Sequence, residues 1–356
     1  MKTYGIKYAG SKLRIIPYIV SIISQLKDVK KVLDGFSGTT RVSQAFAQLG
    51  YHTTSNDVSI WSDVVANCFL KSTQKDSFYQ EILNHLNNLK GYEGWYTEHY
   101  GSSRISAKRP FQSKNTKKLD IIRDEIEELG LEWIDKSVIL TSLVFALDKV
   151  DNTLGHYAAY LSKWSARSNK DLILTLPKRF TTDQLSHNVI RDDIFKTVTK
   201  DKYDFTYFDP PYGSNNDKMP TSRVRYASYY HIWETIIKHD KPEVFGKANR
   251  RVDTRDSASS SIFEEYRKNE DGSFIAMKAL DKLIHATDSK YILLSYSSGG
   301  RTTKEELTNI IDKSGKMLKA IEINYRKNVM SNMRWTNDWI NSNEKYLEYL
   351  FLMQKN

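Results

Sequence analysis

The sequence predicts an α/β fold, with a mostly parallel sheet between helices, an antiparallel hairpin at the sheet edge and a mainly helical insertion. Three observations predict it. Lys31 to Asp34 is a short buried-type strand that runs through a small-residue turn into the helical pattern Val42, Ala45, Phe46, Leu49. Tyr203 to Phe208 is an apolar strand that ends on Asp209-Pro210-Pro211-Tyr212. Between Ile60 and Lys178 the pattern turns helical over a stretch too long for a connection, so it should be a domain of its own.

The chain opens with Tyr8-Ala9-Gly10-Ser11-Lys12 before a helix expected from Leu13 to Leu26, a polar loop whose free helix amides favour a carboxylate or phosphate. Next comes Asp34-Gly35-Phe36-Ser37-Gly38-Thr39-Thr40, where Gly38 lets backbone approach a ligand closely. Phe36 belongs either to the core or to the ligand surface. A second strand, Tyr51 to Ser55, leads to Asp57, an acid spaced from the glycine loop as a ribose-gripping carboxylate is. Helices are then expected over Val64 to Leu70, Phe78 to Leu89, Leu119 to Leu129, Trp133 to Leu147 and Tyr157 to Trp164. Asn188 to Phe195 reads as a strand ending in acids; Asp193 either faces a ligand or caps a helix. Tyr291 to Tyr296 is a buried strand followed by a helix, Lys304 to Ile311. Ala320 to Tyr325 and Tyr346 to Met353 form the edge hairpin.

The turn after Phe208 carries the chemistry. Consecutive prolines fix φ and remove amide donors, so the local carbonyls can face a ligand. Asp209 adds an acceptor and Tyr212 a flat face. Acceptors beside a stacking ring suit the exocyclic amine of a nucleobase.

Of 356 residues, 40% are hydrophobic, enough for a large core, and the net charge of +10 suits a polyanionic partner. The single cysteine, Cys68, excludes a disulfide framework and a cysteine-based zinc site and fits a reducing cytoplasm. No metal constellation is expected. Ile139 to Leu147 is far short of the roughly 20 apolar residues of a membrane span. Cations near aromatic rings nominate nucleic-acid contacts at Arg104, Lys108, Arg109 and Lys114, and at Arg223, Arg225, Tyr229, Tyr230, Arg250 and Arg251.

Asp209-Pro210-Pro211-Tyr212 resembles the (Asp/Asn/Ser)-Pro-Pro-(Tyr/Phe/Trp) signature of amino-methyltransferases that use S-adenosylmethionine. Its aspartate heading, the Tyr8-x-Gly10-x-Lys12 block and Asp34-x-Phe36-x-Gly38, with Thr40 in place of a final glycine, are similar to the Dam-like and type IIS DNA adenine methyltransferases of the alpha group. The resemblance implies a Rossmann-like methyltransferase sheet. Residues 1–60, 179–212 and 273–356 would form the catalytic and cofactor-binding part, 61–178 a target-recognition insertion, and 213–272 a basic DNA-contacting segment. It implies S-adenosylmethionine as cofactor, held by Tyr8, Gly10, Lys12, Asp34, Phe36, Ser37, Gly38, Asp57, Asp193 and Asp209, and double-stranded DNA as partner, with catalysis by Asp209, Pro210, Pro211 and Tyr212. A cognate restriction endonuclease acting on the same site follows from the resemblance alone. RNA adenine or DNA cytosine-amine methylation, and a silent DNA-binding module, are the competing expectations.

Overall fold

A computed structural model describes residues 1–102, 109–180, 187–213, 226–255, 261–324 and 347–356. Seven strands form the central sheet: β1 (Lys31–Asp34), β2 (His52–Asn56), β3 (Asn188–Ile190), β4 (Tyr203–Phe208), β5 (Ser289–Ser297), β6 (Gly315–Asn324) and β7 (Leu347–Lys355). Their order is β6-β7-β5-β4-β1-β2-β3. All neighbours from β3 across to β5 run parallel, whereas β7 is antiparallel to both β5 and β6. The order reverses between β1 and β4, the switch point beyond whose carboxyl ends open α/β sheets bind ligands.

Among the described residues twelve α-helices accompany the sheet: α1 (Ile16–Ile23), α2 (Arg41–Gln48), α3 (Ile60–Leu70), α4 (Asp76–Asn88), α5 (Trp95–Tyr100), α6 (Ser113–Glu128), α7 (Trp133–Val150), α8 (Ile194–Lys200), α9 (Tyr226–Tyr229), α10 (His231–Lys238), α11 (Ile275–Ala286) and α12 (Lys304–Ser314). Alternation along the central strands splits their side chains between two cores. Val32, Phe205, Tyr207 and Leu293 pack on α1 and α2. Leu33, Phe208, Ile292 and Leu294 pack on α8, α11 and α12. At this scale the sheet and its antiparallel edge match the expectation from sequence.

A third core joins α3 to α7 with Tyr229, Tyr230, Ile232, Trp233, Ile236 and Ile237 of α9 and α10. Tyr230, Trp233, Ile236 and Ile237, at helical spacing, are therefore interior. Ala66 and Leu70 of α3 also reach Ala47 of α2 and Val189 of β3, so α3 serves the sheet and the helical layer together. Three expected elements differ. Of the strand read from Asn188 to Phe195 only Asn188–Ile190 pairs, because Asp193 caps a helix that Ile194 and Phe195 begin. The amino-terminal helix starts only at Ile16, after a short 3-10 turn at Lys12–Arg14. Tyr157 to Trp164 forms no helix, because tertiary partners take its backbone: Tyr157 N donates to Tyr229 O at 2.8 Å, and Leu161 N to Asn152 O at 2.9 Å. Among the described residues no helix is long and apolar enough to cross a membrane.

Candidate active site

The carboxyl ends of β1 and β4 are tied by Gly35 N donating to Tyr207 O at 2.9 Å, which brings the glycine loop and the Asp209 turn to one place. A cavity of ≈ 800 Å³ opens there, within the range of small-molecule sites. Tyr8, Gly10, Lys12, Asp34, Phe36, Ser37, Gly38, Asp57, Asp193, Asp209 and Pro211, all nominated from sequence, line it. Pro210 and Tyr212, on either side of Pro211, are not among its lining residues.

The glycine loop keeps a tight shape despite its substituted last glycine. Thr40 adopts the left-handed backbone, φ 59°, that a glycine would take freely. The surrounding bonds hold it: Thr40 N donates to Ser37 O at 2.6 Å, Thr40 O accepts from Gln44 N at 2.8 Å, and Thr40 Oγ1 accepts from Gln44 Nε2 at 2.9 Å. Asp34 is 1% exposed. Its Oδ2 accepts from Ser43 N at 2.9 Å and Ser43 Oγ at 2.6 Å, while its Oδ1 is buried without a partner. Burial pushes the Asp34 carboxyl up to about 7, with the Ser43 hydroxyl pulling down and the Asp209 charge pushing further up. Asp57 closes the loop from β2. Its Oδ2 accepts from Gly38 N at 2.8 Å, and its Oδ1 from Ser59 N at 2.9 Å and Ser59 Oγ at 2.6 Å. Burial raises its pKa against these bonds.

Asp193 caps a helix, the second of the two readings the sequence left open. Its carboxylate caps α8 by accepting from Phe195 N at 2.8 Å, and the residue also lines the cavity. Phe36 likewise belongs to core and cavity, edge-on to Phe208 at 6.0 Å and to Phe263 at 5.2 Å. Tyr8 stacks on Tyr230 at 4.7 Å and meets Trp61 and Tyr226 at 5.4 Å, forming an aromatic wall. Gly10 is needed beside it: φ is 87°, and a Cβ there would lie 2.8 Å from the Tyr226 hydroxyl.

A buried ionic cluster surrounds the Asp-Pro-Pro-Tyr turn. Lys12, 7% exposed, places Nζ 2.8 Å from Asp209 Oδ1 and 2.6 Å from Glu348 Oε1. It also donates to the Tyr212 hydroxyl. The single proton of that hydroxyl is shared between Asp209 Oδ1 at 3.0 Å and Glu348 Oε1 at 3.2 Å. Burial raises the Asp209 carboxyl to about 6; the Lys12 charge lowers it and Glu348 raises it again. Lys12, expected beside the cofactor, thus pairs with the carboxylate of the turn. The Tyr212 ring, expected as a stacking face, packs edge-on to Tyr296 at 5.1 Å with its hydroxyl in the cluster. Glu348 carries no sequence signal of its own, since only strand pairing brings it here.

Several nucleic-acid nominations change meaning. Tyr229 and Tyr230 are 8% and 1% exposed, so neither offers an outward face, and Tyr230 is part of the cavity wall. Arg251, 4% exposed, is held in a fork by Asp240 at 2.7 Å and Asp253 at 2.8 Å, which satisfies its charge internally. Lys114 pairs with Asp171 at 2.5 Å. Arg109 and Arg250 remain partly exposed, the latter over the Phe245 ring at 4.7 Å. Arg104, Lys108, Arg223 and Arg225 lie outside the described residues.

Residues 8–310 match the family described as D12 class N6 adenine-specific DNA methyltransferase. The chain is 29% identical to modification methylase StsI of Streptococcus sanguinis, over 98% of this chain and 52% of that protein. It is 27% identical to type II methyltransferase M.NlaIII of Neisseria lactamica, over 96% of this chain and 98% of that one. With type II methyltransferase M.FokI of Planomicrobium okeanokoites the identity is 26%, over 98% of this chain and 52% of the relative. The chain therefore spans about half the length of the StsI and FokI proteins and nearly all of M.NlaIII.

Proposed function

Because the chain belongs to the D12 class N6 adenine-specific DNA methyltransferase family, we propose that it methylates the exocyclic N6 amine of an adenine turned out of duplex DNA at a specific site, as the modification component of a restriction-modification system. The observation that carries the reading is the shared cavity: Asp209, Asp34 and Asp57 line one hollow at the sheet's switch point. S-adenosylmethionine supplies an electrophilic methyl group on a sulfonium when bound.

The residues present fit that cofactor. Asp34 Oδ1, buried and unpartnered, is an acceptor awaiting a donor such as the methionine ammonium. Asp57 takes the ribose hydroxyls, while Asp193, Phe36 and Ile194 enclose the adenine. Tyr8, Gly10, Ser37 and Gly38 complete the wall. The Tyr8, Trp61 and Tyr226 faces suit a cation.

At the target, the amine's lone pair is delocalised into the purine ring and must be released before it can attack. Asp209 and the Pro210 carbonyl accept the amine's hydrogens, which pyramidalises the nitrogen, in a site where fixed dipoles act more strongly than water. Transfer would exchange the methyl group's bond to sulfur for one to this nitrogen, which would then lose one proton to solvent. Turning the base out costs a few kcal/mol, offset by contacts inside the site. The 61–178 insertion and the 213–272 segment would read the DNA, with Arg109 and Arg250 on its phosphates.

Incubation with labelled S-adenosylmethionine and mixed-sequence duplex DNA, followed by single-molecule mapping, tests this. N6-methyladenine recurring in one sequence context is expected. Label on cytosine or on RNA alone, or no transfer, overturns it.

A further inference from the structure

β7 runs antiparallel to β5, so its beginning lies beside the carboxyl ends of β4 and β5, where the Asp209 turn begins. Glu348, the second residue of β7, is 6% exposed there. Its Oε1 accepts from Lys12 Nζ at 2.6 Å, Ser295 Oγ at 2.6 Å and the Tyr212 hydroxyl at 3.2 Å. Two of those donors, Lys12 and Tyr212, also hold Asp209 Oδ1, at 2.8 and 3.0 Å. One carboxylate oxygen of Asp209 is thus already engaged by two donors, and the same donors have a second acceptor in Glu348.

We propose that Glu348 is a positioning residue for methyl transfer, a fixed second seat that keeps Lys12 and Tyr212 bonded while Asp209 gives up their hydrogen bonds and accepts those of the adenine amine. The assignment rests on the methyl-transfer reading above. Each donor keeps its bond to Glu348 while the amine takes their place on Asp209. Ser295 pins the seat, so the carboxylate need not move. A buried lysine with Asp209 as its sole counterion would instead compete with the substrate, because leaving that pair would strand a charge. The groups facing Asp209 are Lys12 from the amino-terminal turn, Glu348 from β7, Tyr207 and Tyr212 around the turn, Asp34 from β1, and Tyr8 and Tyr226 from the aromatic wall.

Glu348→Gln keeps the shape and removes the charge. Its kcat for methyl transfer to duplex DNA should fall about tenfold, with S-adenosylmethionine affinity and the KM for DNA unchanged. The acid limb of the pH–kcat profile should move to lower pH, because the charge that raises the Asp209 carboxyl is gone and Lys12 settles on Asp209. A merely structural glutamate would lower the melting temperature without moving that limb. An unchanged kcat, or a lower kcat with the limb unmoved, overturns the assignment. Should Glu348→Gln be recovered unfolded, Ser295→Ala carries the test. It withdraws only the bond that pins the seat, and kcat should fall about threefold at constant cofactor affinity; an unchanged kcat again overturns it. If the unsubstituted protein transfers no methyl group to DNA, the methyl-transfer reading falls and this assignment with it, whereas active unsubstituted protein matched by its variants removes Glu348 alone.

Discussion

Replacing Lys12 with methionine keeps an apolar stem of similar reach and removes the cation between Asp209 and Glu348. At 2.8 and 2.6 Å, and with Lys12 only 7% exposed, its ammonium is in direct contact with both carboxylates. Breaking a buried ion pair from one side costs about 3–5 kcal/mol. Asp209 recovers part of this by taking up a proton. Burial has already raised Asp209 to about 6, against the Lys12 charge that holds it down. Without that charge its folded-state pKa rises further, while the unfolded value stays near ~3.9. Between those two values the folded state binds more protons than the unfolded one. Stability therefore rises as pH falls through the elevated pKa, and is lost as pH climbs back through it. Urea denaturation of both proteins at mildly acidic and at alkaline pH measures the effect. The variant should lose about 3–5 kcal/mol on the alkaline side. Each pH unit below the raised pKa should recover about 1.4 kcal/mol. An equal loss at both pH values, or an alkaline loss under about 1 kcal/mol, would refute the idea that Lys12 neutralises buried carboxylates.

The remaining predictions concern the cofactor and DNA sides. Asp57→Asn should weaken S-adenosylmethionine binding, read by equilibrium dialysis, by about 10-fold to 100-fold, since charged hydrogen bonds are worth about 1.5–3 kcal/mol. Undiminished binding would remove Asp57 from the cofactor site. Arg251→Ala should lower stability by about 1.5–3 kcal/mol through the lost bonds to Asp240 and Asp253 and leave the salt dependence of DNA binding unaltered. Arg250→Ala should do the reverse, weakening binding uniformly across sequences and reducing the log K against log salt slope by about 1. Equal behaviour of the two arginines would contradict the division.

What could be read from sequence was what the chain encodes locally. Strand, small-residue turn and helix around Asp34 to Gly38, and strand and double proline around Asp209, are written within a few residues of each other, and they meet at the switch point as parallel pairing requires. Asp57 and Asp193 were reachable for the same reason. Glu348 was not, because it lies 136 residues from Tyr212 and reaches it only through antiparallel pairing of β7 with β5. Cations and rings in one segment could not tell surface from interior. Arg251 finds two carboxylates, and Tyr230 bonds Ala9 N and Gly155 O, all set by tertiary packing. The same packing took the Tyr157 region out of the helix its spacing suggests.

The most direct measurement is single-turnover methyl transfer by Asp209→Ala beside cofactor and DNA binding by the same protein. Lys12 keeps its bond to Glu348 when Asp209 is gone, so the variant should fold. The account predicts that labelled S-adenosylmethionine and duplex DNA still bind while transfer to adenine is lost. Transfer at the unsubstituted rate would contradict it.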